Sequence, residues 1–164
     1  MAVQVQVRRA RLQDAQPIAD FVNSAYAGHP VTGADVKGRF SQVGFMLAEH
    51  DGHIIGLLGW QVENLVIRVN DFLVAPALDR VIAGRALIEA MEREGLLLQA
   101  EAAILLLPLR PSPDLIAYWE IFGYEQREVA ALPRAWREAA REWNAEARQV
   151  MMKPLRQDLV QKPI

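Results

Sequence analysis

The chain has 164 residues, 52% of them hydrophobic, which is enough to bury a substantial core and predicts one globular domain over residues 1–164. Its formal net charge of −2 favours neither nucleic acid nor an acidic membrane surface as a partner. Because there is no cysteine, the composition excludes disulfides, thiolate catalysis and cysteine-ligated metal sites.

The first part of the chain predicts a strand followed by two helices. Valines alternate with polar residues from residue 3 to residue 7, as in a strand with one buried face. Apolar side chains then recur at helical spacing over residues 14–27. Thr32 and Asp35 have the spacing of a helix cap, so a second, short helix is predicted to end near Gln42.

The next part of the chain predicts three antiparallel strands joined by tight turns. Apolar runs occupy residues 44–49 and 54–62, and an Asp-Gly pair lies between them. Such a pair between apolar runs is among the better local signals for a hairpin. A Glu-Asn pair then marks a second turn, after which the chain returns as a strand over residues 65–74.

Residues 72–95 predict a strand that turns at Ala75-Pro76 and continues as an amphipathic helix. Gly95 is predicted to end this helix, since glycine is common just after a last helical turn. The unpaired N–H groups and the positive dipole at the start of such a helix favour a bound anion. The apolar face of the helix carries Gly84, Leu87, Ile88 and Met91.

The C-terminal part predicts a buried strand and a capped helix. Residues 102–107 are almost continuously apolar, as expected for a strand that is covered on both faces. Ser112 and Pro113 match the preferred residues at the N-cap and the first position of a helix. This helix is predicted to reach Phe122 and to end at Gly123.

Residues 133–144 predict an additional helix before a last strand near residues 148–155. Trp136 and Trp143 lie along one side of this helix. Three roles are open for it: a helix that packs over one edge of the sheet, a lid on an acceptor groove, or part of a homodimer interface, where buried tryptophan is favoured.

The strand, turn and helix around Pro76 resemble part of the GNAT superfamily of acyl-CoA-dependent N-acyltransferases. In that family a strand ending in V-x-P leads into the pattern R/Q-x-x-G-x-G/A, whose backbone amides hold the pyrophosphate of coenzyme A. When the pattern is laid on Val74 and Pro76, this sequence matches again at Gly84, Ala86 and Leu87.

The resemblance extends over roughly residues 3–130 and includes the helix within residues 112–125. The predicted order of elements, β-α-α-β-β-β-α-β-α-β, is the order found in GNAT proteins. It implies an α/β (α+β) fold with a mixed, mostly antiparallel sheet of about seven strands and with helices on both faces. The last two strands usually form a simple hairpin in that family, so the helix over residues 133–144 is an addition.

The loop that would hold the pyrophosphate departs from the family pattern. The Arg/Gln position falls on Asp79, and the first glycine of the motif falls on Ile82. Asp79 could instead cap the helix, with its carboxylate accepting from the N–H groups of Val81 or Ile82. Arg80 and Arg85 lie nearby and could bring positive charge to a phosphate from their side chains.

The resemblance implies acetyl-CoA as the acyl donor and a small-molecule or peptide amine as the acceptor. Backbone groups of Phe72 and Val74 would hold the pantetheine arm. The pyrophosphate would lie on the loop and first turns of the helix that follows, at Arg80, Val81, Ile82, Ala83, Gly84 and Arg85.

A general base is needed because an ammonium must lose a proton before its nitrogen can attack a thioester. Asp71 is the candidate near the end of the fourth strand, and Glu63 is the alternative near its start. The family tyrosine that protonates the leaving thiolate falls on Trp119, so Tyr118 is the remaining candidate acid. Core packing under the helix is the simpler interpretation of both rings, and Tyr118 could serve as the acid only if the helix were rotated from its usual setting, since neighbouring residues differ by about 100°.

No metal site is predicted. His50 and His53 flank the Asp-Gly turn, and without a third ligand they are best interpreted as exposed turn residues. The N-terminus lacks the apolar core of a signal peptide, and no apolar run approaches the roughly 20 residues of a membrane span. We therefore expect a cytoplasmic protein.

Two functions follow as hypotheses. In the first, the chain transfers an acyl group from acyl-CoA to an amine. In the second, it is a binding or interaction module that keeps the GNAT fold without coenzyme A chemistry. The departures at Asp79, Arg80, Ile82 and Trp119 favour the second hypothesis. The positions that match the family pattern favour neither hypothesis, because both kinds of protein need them in order to fold.

Overall fold

The computed structural model describes residues 4–26, 28–76, 80–143 and 145–156. These residues fall into two compact units. The first unit contains the chain up to residue 61 together with residues 70–91, and the second contains residues 62–69 together with the chain from residue 92 onward. No helix within the described ranges combines the length and the apolar character that crossing a membrane requires.

The described part of the chain forms a mixed sheet of seven strands. Its strands are β1 (Gln6–Arg9), β2 (Gly44–His50), β3 (His53–Glu63), β4 (Val66–Val74), β5 (Ala102–Pro108), β6 (Glu125–Arg127) and β7 (Arg148–Pro154). They lie in the order β1-β2-β3-β4-β5-β7-β6. The pair β4–β5 is parallel, whereas the pairs β1–β2, β2–β3, β5–β7 and β6–β7 are antiparallel, which confirms the predicted sheet.

In the described residues five α-helices accompany the sheet, and two of them start at predicted caps. They are α1 (Ala15–Ala25), α2 (Gly33–Arg39), α3 (Arg80–Leu97), α4 (Pro113–Glu120) and α5 (Arg134–Glu142). At the start of α2, Asp35 N donates to the Thr32 hydroxyl at 3.1 Å, and Thr32 N donates to the Asp35 carboxylate at 2.9 Å. At the start of α4, Leu115 N donates to the Ser112 hydroxyl at 3.2 Å.

In the first unit, helices pack on both faces of the sheet. Phe45 and Leu47 of β2 belong to a buried cluster that includes side chains of α1 and α2. Ala48 lies on the opposite face, because side chains alternate along a strand. On that face Gly56 of β3 lies against α3, where an added Cβ would come within 2.9 Å of Leu87 Cδ1 and 3.4 Å of Ala48 Cβ.

In the second unit, α5 covers one face of β5 and β7. Trp136 and Trp143 are 3% and 6% exposed, and they lie in a buried cluster with Ile104, Val150 and Met152. Of the three roles predicted for this helix, the structure therefore supports packing over the sheet, because both indoles are buried within the chain itself.

Gly95 does not end α3, which makes that prediction wrong. The helix continues past Gly95, which is buried against β4 so closely that an added Cβ would overlap Ile67 Cδ1. Gln99 interrupts the helical conformation instead, because its φ of 63° is left-handed. Ala100 N donates to Gly95 O at 2.9 Å, and Gln99 N donates to Leu96 O at 3.0 Å. These two bonds form a Schellman motif with glutamine at the position that glycine usually takes.

Both predicted turns are present, and both use left-handed backbone conformations. Asp51 and Gly52 have φ values of 50° and 76°, as required in a two-residue turn between β2 and β3. Asn64 and Leu65 have φ values of 51° and 64°, so the turn between β3 and β4 lies one residue later than predicted.

Several predicted boundaries shift by a few residues, as is usual at element ends that fray. The first strand begins at Gln6, and residues 1–3 lie outside the described residues. α2 ends before the predicted residue, and so does α4, which stops at Glu120 before Gly123 turns the chain away with a φ of 92°. The predicted ends of α1 and α5, at residues 27 and 144, also lie outside the described residues.

Candidate functional site

The first unit contains a cavity of about 390 Å³, bounded by α1, α2 and the neighbouring part of β2, β3 and β4. A cavity of this size can hold a small molecule, because ligand pockets in proteins span roughly 300–1,000 Å³. Most of its wall is apolar and comes from Ile18, Val22, Val31, Val36, Phe45 and Leu57.

Arg39 and Asp71 form an ion pair on the wall of this cavity. Arg39 Nη1 donates to Asp71 Oδ1 at 2.7 Å, and the two side chains are 46% and 27% exposed. The Arg39 guanidinium also lies 5.7 Å from the ring centroid of Phe45. A partly exposed pair of this kind stabilises a fold by only about 0–1 kcal/mol. Its main consequence is that it fixes the position of the carboxylate.

Gly59 of β3 makes room for the Asp71 carboxylate. A Cβ on Gly59 would lie 2.6 Å from Asp71 Oδ2 and 2.9 Å from Phe45 Cε1. The Oδ2 atom is buried and accepts no hydrogen bond from any of the described residues. A buried polar atom without a partner is unfavourable by about 1–3 kcal/mol. This carboxylate therefore has capacity for a further donor.

The other titratable groups on the cavity wall are Asp35, Tyr26 and His29. Hydrogen bonds from the backbone and side chain of Thr32 lower the pKa of Asp35, whose carboxylate is engaged in the cap of α2. Among the described residues of the wall, two aspartates outnumber one arginine, so the formal charges of these three side chains sum to −1. Such a wall is complementary to a ligand with a cationic group.

Phe72 and Val74, the predicted pantetheine residues, lie in the last part of β4. Alternation along the strand places their side chains on one face and those of Asp71 and Leu73 on the other. Leu73 packs with the cluster of α1 and α2, on the same side as the cavity. The parallel pairing of β4 with β5 ends at Val69, so Phe72 and Val74 lie beyond the part of β4 that pairs with β5.

The predicted pyrophosphate residues form the first two turns of α3. In that segment Arg80, Ile82 and Arg85 are exposed, Val81 is half-buried, and Ala83 and Gly84 are buried. The burial of Gly84 agrees with the predicted apolar face of the helix. Asp79 lies outside the described residues, so both of its alternatives, helix cap and disrupted phosphate site, stay predictions.

Tyr118, the predicted acid, lies on α4 in the second unit, where its ring is half-buried. Its ring centroid is 6.0 Å from that of Trp119 and 5.0 Å from that of Phe122. Trp119 is 3% exposed, and its ring lies edge-on to Tyr124 at 5.4 Å. Trp119 is therefore a core residue, whereas an acid role for Tyr118 stays a prediction.

Glu63 and the two histidines have structural contacts. Trp143 Nε1 donates to Glu63 Oε2 at 3.1 Å, so this alternative base anchors α5 in the second unit. His50 and His53 each place Nδ1 2.9 Å from a backbone carbonyl oxygen, those of Gln4 and Asp51. Within the described ranges, histidines and carboxylates do not gather in any group of three that could hold a metal ion.

The fold has close counterparts among solved acetyltransferases. A phosphinothricin acetyltransferase of the GNAT superfamily from Sinorhizobium meliloti, in complex with AcCoA, matches with a TM-score of 0.71 and 17% identity. That match covers 98% of this chain and 93% of the other. The chain has the GNAT fold. The ribosomal-protein-S18-alanine N-acetyltransferase from Escherichia coli shares it, with a TM-score of 0.70, 15% identity, and coverage of 98% and 100%.

The GNAT fold is also found in larger proteins. N-acetylglutamate synthase from Neisseria gonorrhoeae, complexed with coenzyme A and N-acetyl-glutamate, matches with a TM-score of 0.68 and 18% identity. The match covers 96% of this chain but 36% of the synthase chain. No family model and no curated protein matches the sequence. The predicted GNAT topology is therefore confirmed as a likeness of fold.

The sequence analysis identified Asp71 but none of the residues that surround it. Arg39 is 32 residues away, and no local pattern connects an arginine at a helix end with an aspartate in a strand. Gly59 carried one usable signal, since a glycine inside a strand pattern often marks the close approach of another group.

Proposed function

We propose that the chain is an acyl-CoA-dependent N-acyltransferase whose acceptor amine binds in the cavity beside Asp71. The observation that carries this proposal is a carboxylate on the wall of a mainly apolar cavity, with one oxygen that accepts from no described residue. Apolar walls favour the carbon skeleton of an acceptor, and the carboxylate favours its ammonium group.

In this proposal Asp71 binds the ammonium group of the acceptor and takes a proton from it. The neutral nitrogen attacks the thioester carbonyl, so that a C–N bond forms, the C–S bond breaks, and coenzyme A leaves as a thiolate, while the nitrogen releases its second proton to solvent and becomes a neutral amide. Arg39 holds the carboxylate through Oδ1. Oδ2 is buried beside Gly59, so in this proposal the Asp71 side chain turns toward the cavity when the acceptor binds. Tyr118 remains the candidate that protonates the thiolate, on the strength of the family resemblance.

Acetyl-CoA is the acyl donor in this proposal. The backbone of Phe72 and Val74 would hold its pantetheine arm, and the start of α3 would hold its pyrophosphate. Arg80 and Arg85 are exposed in that segment, so their charges can compensate for Ile82 at the position of the family glycine. The shared fold supports this assignment, because GNAT neighbours were crystallised with coenzyme A or AcCoA.

A thiol-release assay with acetyl-CoA and a panel of amines tests the proposal. The panel combines apolar primary amines, amino acids and peptides with free N-termini, and we expect apolar amines to be the best acceptors because the cavity wall is apolar. The variant Asp71→Asn should lower kcat by about 10²- to 10⁴-fold, as expected for loss of a general base.

Asp20→Asn is the matched control, because Asp20 is an exposed carboxylate on α1 that is absent from the cavity wall. It should leave kcat unchanged. Full activity of Asp71→Asn would contradict the role of that residue. Failure of every amine to release thiol would contradict the enzyme and favour a non-catalytic module with the GNAT fold.

A further inference from the structure

The connection between α1 and α2 forms one wall of the cavity beside Asp71. Its described residues are Tyr26 and residues 28–32, and Tyr26, His29 and Val31 line the cavity. Val31 packs against the buried cluster of α1 and α2 but is only half-buried, so part of its side chain stays accessible from the cavity. The position of Val31 therefore sets the shape of this wall.

One side chain of α1 holds both backbone groups of Val31. Asn23 Nδ2 donates to Val31 O at 2.8 Å, and Val31 N donates to Asn23 Oδ1 at 2.8 Å. A carboxamide can make both bonds because it carries a donor and an acceptor on one planar group, whereas a carboxylate offers acceptors alone. Asn23 therefore pairs with the Val31 backbone as a neighbouring β-strand would.

The pairing of Asn23 with Val31 joins the end of α1 to the start of α2. Tyr26 N donates to Val22 O at 2.9 Å where α1 ends, and the capping pair of Thr32 and Asp35 begins α2. Both of these contacts are local, because their partners are three or four residues apart. Asn23 and Val31 are eight residues apart, so their two bonds fix the connection as a whole.

The Asp71 carboxylate is held from the other end of α2. Arg39, its ion-pair partner, is the last residue of that helix, whereas Val31 precedes the cap at its start. Between them Val36 is 4% exposed and anchors α2 in the buried cluster. A shift of Val31 should therefore change how the body of an acceptor fits the wall and should leave the carboxylate in place.

We infer that Asn23 is a positioning residue, which sets the affinity of the cavity beside Asp71 for an acceptor amine through the backbone of Val31. Because it takes this cavity as the amine site, the inference rests on the proposed function. Asn23 is not among the described residues that line the cavity, so it acts through Val31 and not by touching the amine.

Asn23→Leu tests this role, because leucine has the shape of asparagine and can make neither bond to Val31. With phenethylamine as the acceptor, an apolar primary amine, we expect the KM for the amine to rise about five- to tenfold, the effect of losing two exposed hydrogen bonds that water partly replaces. Loss of binding alone raises KM and preserves kcat, so kcat should stay within about twofold. The KM for acetyl-CoA should not change.

Ser24→Ala is the matched control at the next position of α1. The Ser24 hydroxyl donates to Phe21 O at 2.9 Å within the helix, and Ser24 is not among the described lining residues of the cavity. This variant should leave kcat and both KM values unchanged. Thermal melts establish that each variant is folded, and Asn23→Ala decides the question if Asn23→Leu does not fold.

Two measurements without turnover separate the role of Asn23 from the proposed reaction. Calorimetric titration with phenethylamine, in the absence of acetyl-CoA, should give a Kd about five- to tenfold higher for Asn23→Leu than for the unmodified chain. Amide hydrogen exchange at Val31 should be faster in the variant, because the Val31 N–H has lost its acceptor. If both results are obtained but no amine releases thiol, the proposed reaction fails and the role of Asn23 stands.

Four results would overturn the role of Asn23. The first is that the unmodified chain does not bind phenethylamine, and the second is that Asn23→Leu binds it equally well. The third is unchanged hydrogen exchange at Val31, because Asn23 would then not hold that residue. The fourth is a lower kcat with an unchanged KM for the amine, which would place the effect at the Asp71 carboxylate instead.

Discussion

Arg39 Nη1 on α2 lies 2.7 Å from Asp71 Oδ1 on β4, while the second oxygen of the same carboxylate is buried beside Gly59. One oxygen is therefore held by a protein cation, and the other accepts from none of the described residues. On the wall of a mainly apolar cavity, this arrangement suits recognition of one ammonium group. The proposed acyl transfer depends on this carboxylate.

Replacing Arg39 should lower kcat without changing the binding of acetyl-CoA. Arg39→Ala removes the group that fixes the carboxylate, so we expect kcat to fall about tenfold because the base is less well oriented. Lys37→Ala is the control, since Lys37 is an exposed cation on the same helix that is absent from the cavity wall. The thiol-release assay gives kcat and the KM for acetyl-CoA. A change confined to that KM would contradict the positioning role of Arg39.

Gly59 should be intolerant of a side chain. Gly59→Ala is expected to destabilise the protein by about 1–3 kcal/mol, because its methyl group would meet the Asp71 carboxylate and the edge of Phe45. Gly38→Ala on α2 is the matched control, since a Cβ there meets no atom within 4 Å. Alanine in a helix should stabilise by about 0.5–1 kcal/mol. Urea denaturation measures both effects. If Gly59→Ala left the free energy of unfolding unchanged, the Asp71 carboxylate would not lie against β3.

Gly95 should be sensitive because of Ile67 rather than because it ends a helix. Gly95→Ala is expected to destabilise the second unit by about 1–3 kcal/mol, since its methyl group would overlap Ile67 Cδ1. Ile67→Val removes that atom. In a chain that already carries Ile67→Val, Gly95→Ala should therefore be less destabilising by about 1 kcal/mol. A double-mutant cycle from urea denaturation tests this. Strict additivity would contradict the packing explanation.

Asp14 should make stability depend on pH. Arg8 donates to both of its carboxylate oxygens at 2.8 and 2.9 Å, and Arg11 N donates to it at 2.7 Å. The side-chain hydrogen bonds from Arg8 are the main reason that the pKa of Asp14 is lowered from 3.8 to about 2. Because the folded state has the lower pKa, this stabilisation is fully present above the unfolded pKa and is lost as pH falls through the folded pKa.

The test is the free energy of unfolding from about pH 5 to pH 2 in Asp14→Asn. The unmodified protein should lose about 1–2 kcal/mol more over this window than the variant, after allowance for the solvent exposure of Arg8. Asp20→Asn removes an exposed carboxylate and should retain the full loss. Identical pH dependence of the unmodified protein and Asp14→Asn would contradict the assignment.

The sequence predicted those parts of the fold that depend on local signals. The caps at Thr32 and Ser112 and the Asp-Gly hairpin each involve residues within a few positions of one another, and all are present. The GNAT topology could be predicted because the central strand, turn and helix that carry the family pattern lie within one short stretch, residues 72–95. Gly95 was misinterpreted because its local pattern fits a helix end, whereas its contact with Ile67 arises only when the sheet forms.

The candidate sites depend on contacts that local patterns do not encode. Arg39 and Asp71 meet through packing of α2 on the sheet, across 32 residues of sequence. The sequence could therefore nominate a carboxylate, but the cavity and the partners of that carboxylate required the structure.

Calorimetric titration of the whole chain with acetyl-CoA at moderate salt tests the central claim most directly. If the chain is an acyl-CoA-dependent transferase, acetyl-CoA should bind with a micromolar or lower Kd and raise the melting temperature. No heat of binding and no thermal stabilisation at millimolar acetyl-CoA would contradict the claim, and the GNAT fold would then serve a function other than acyl transfer.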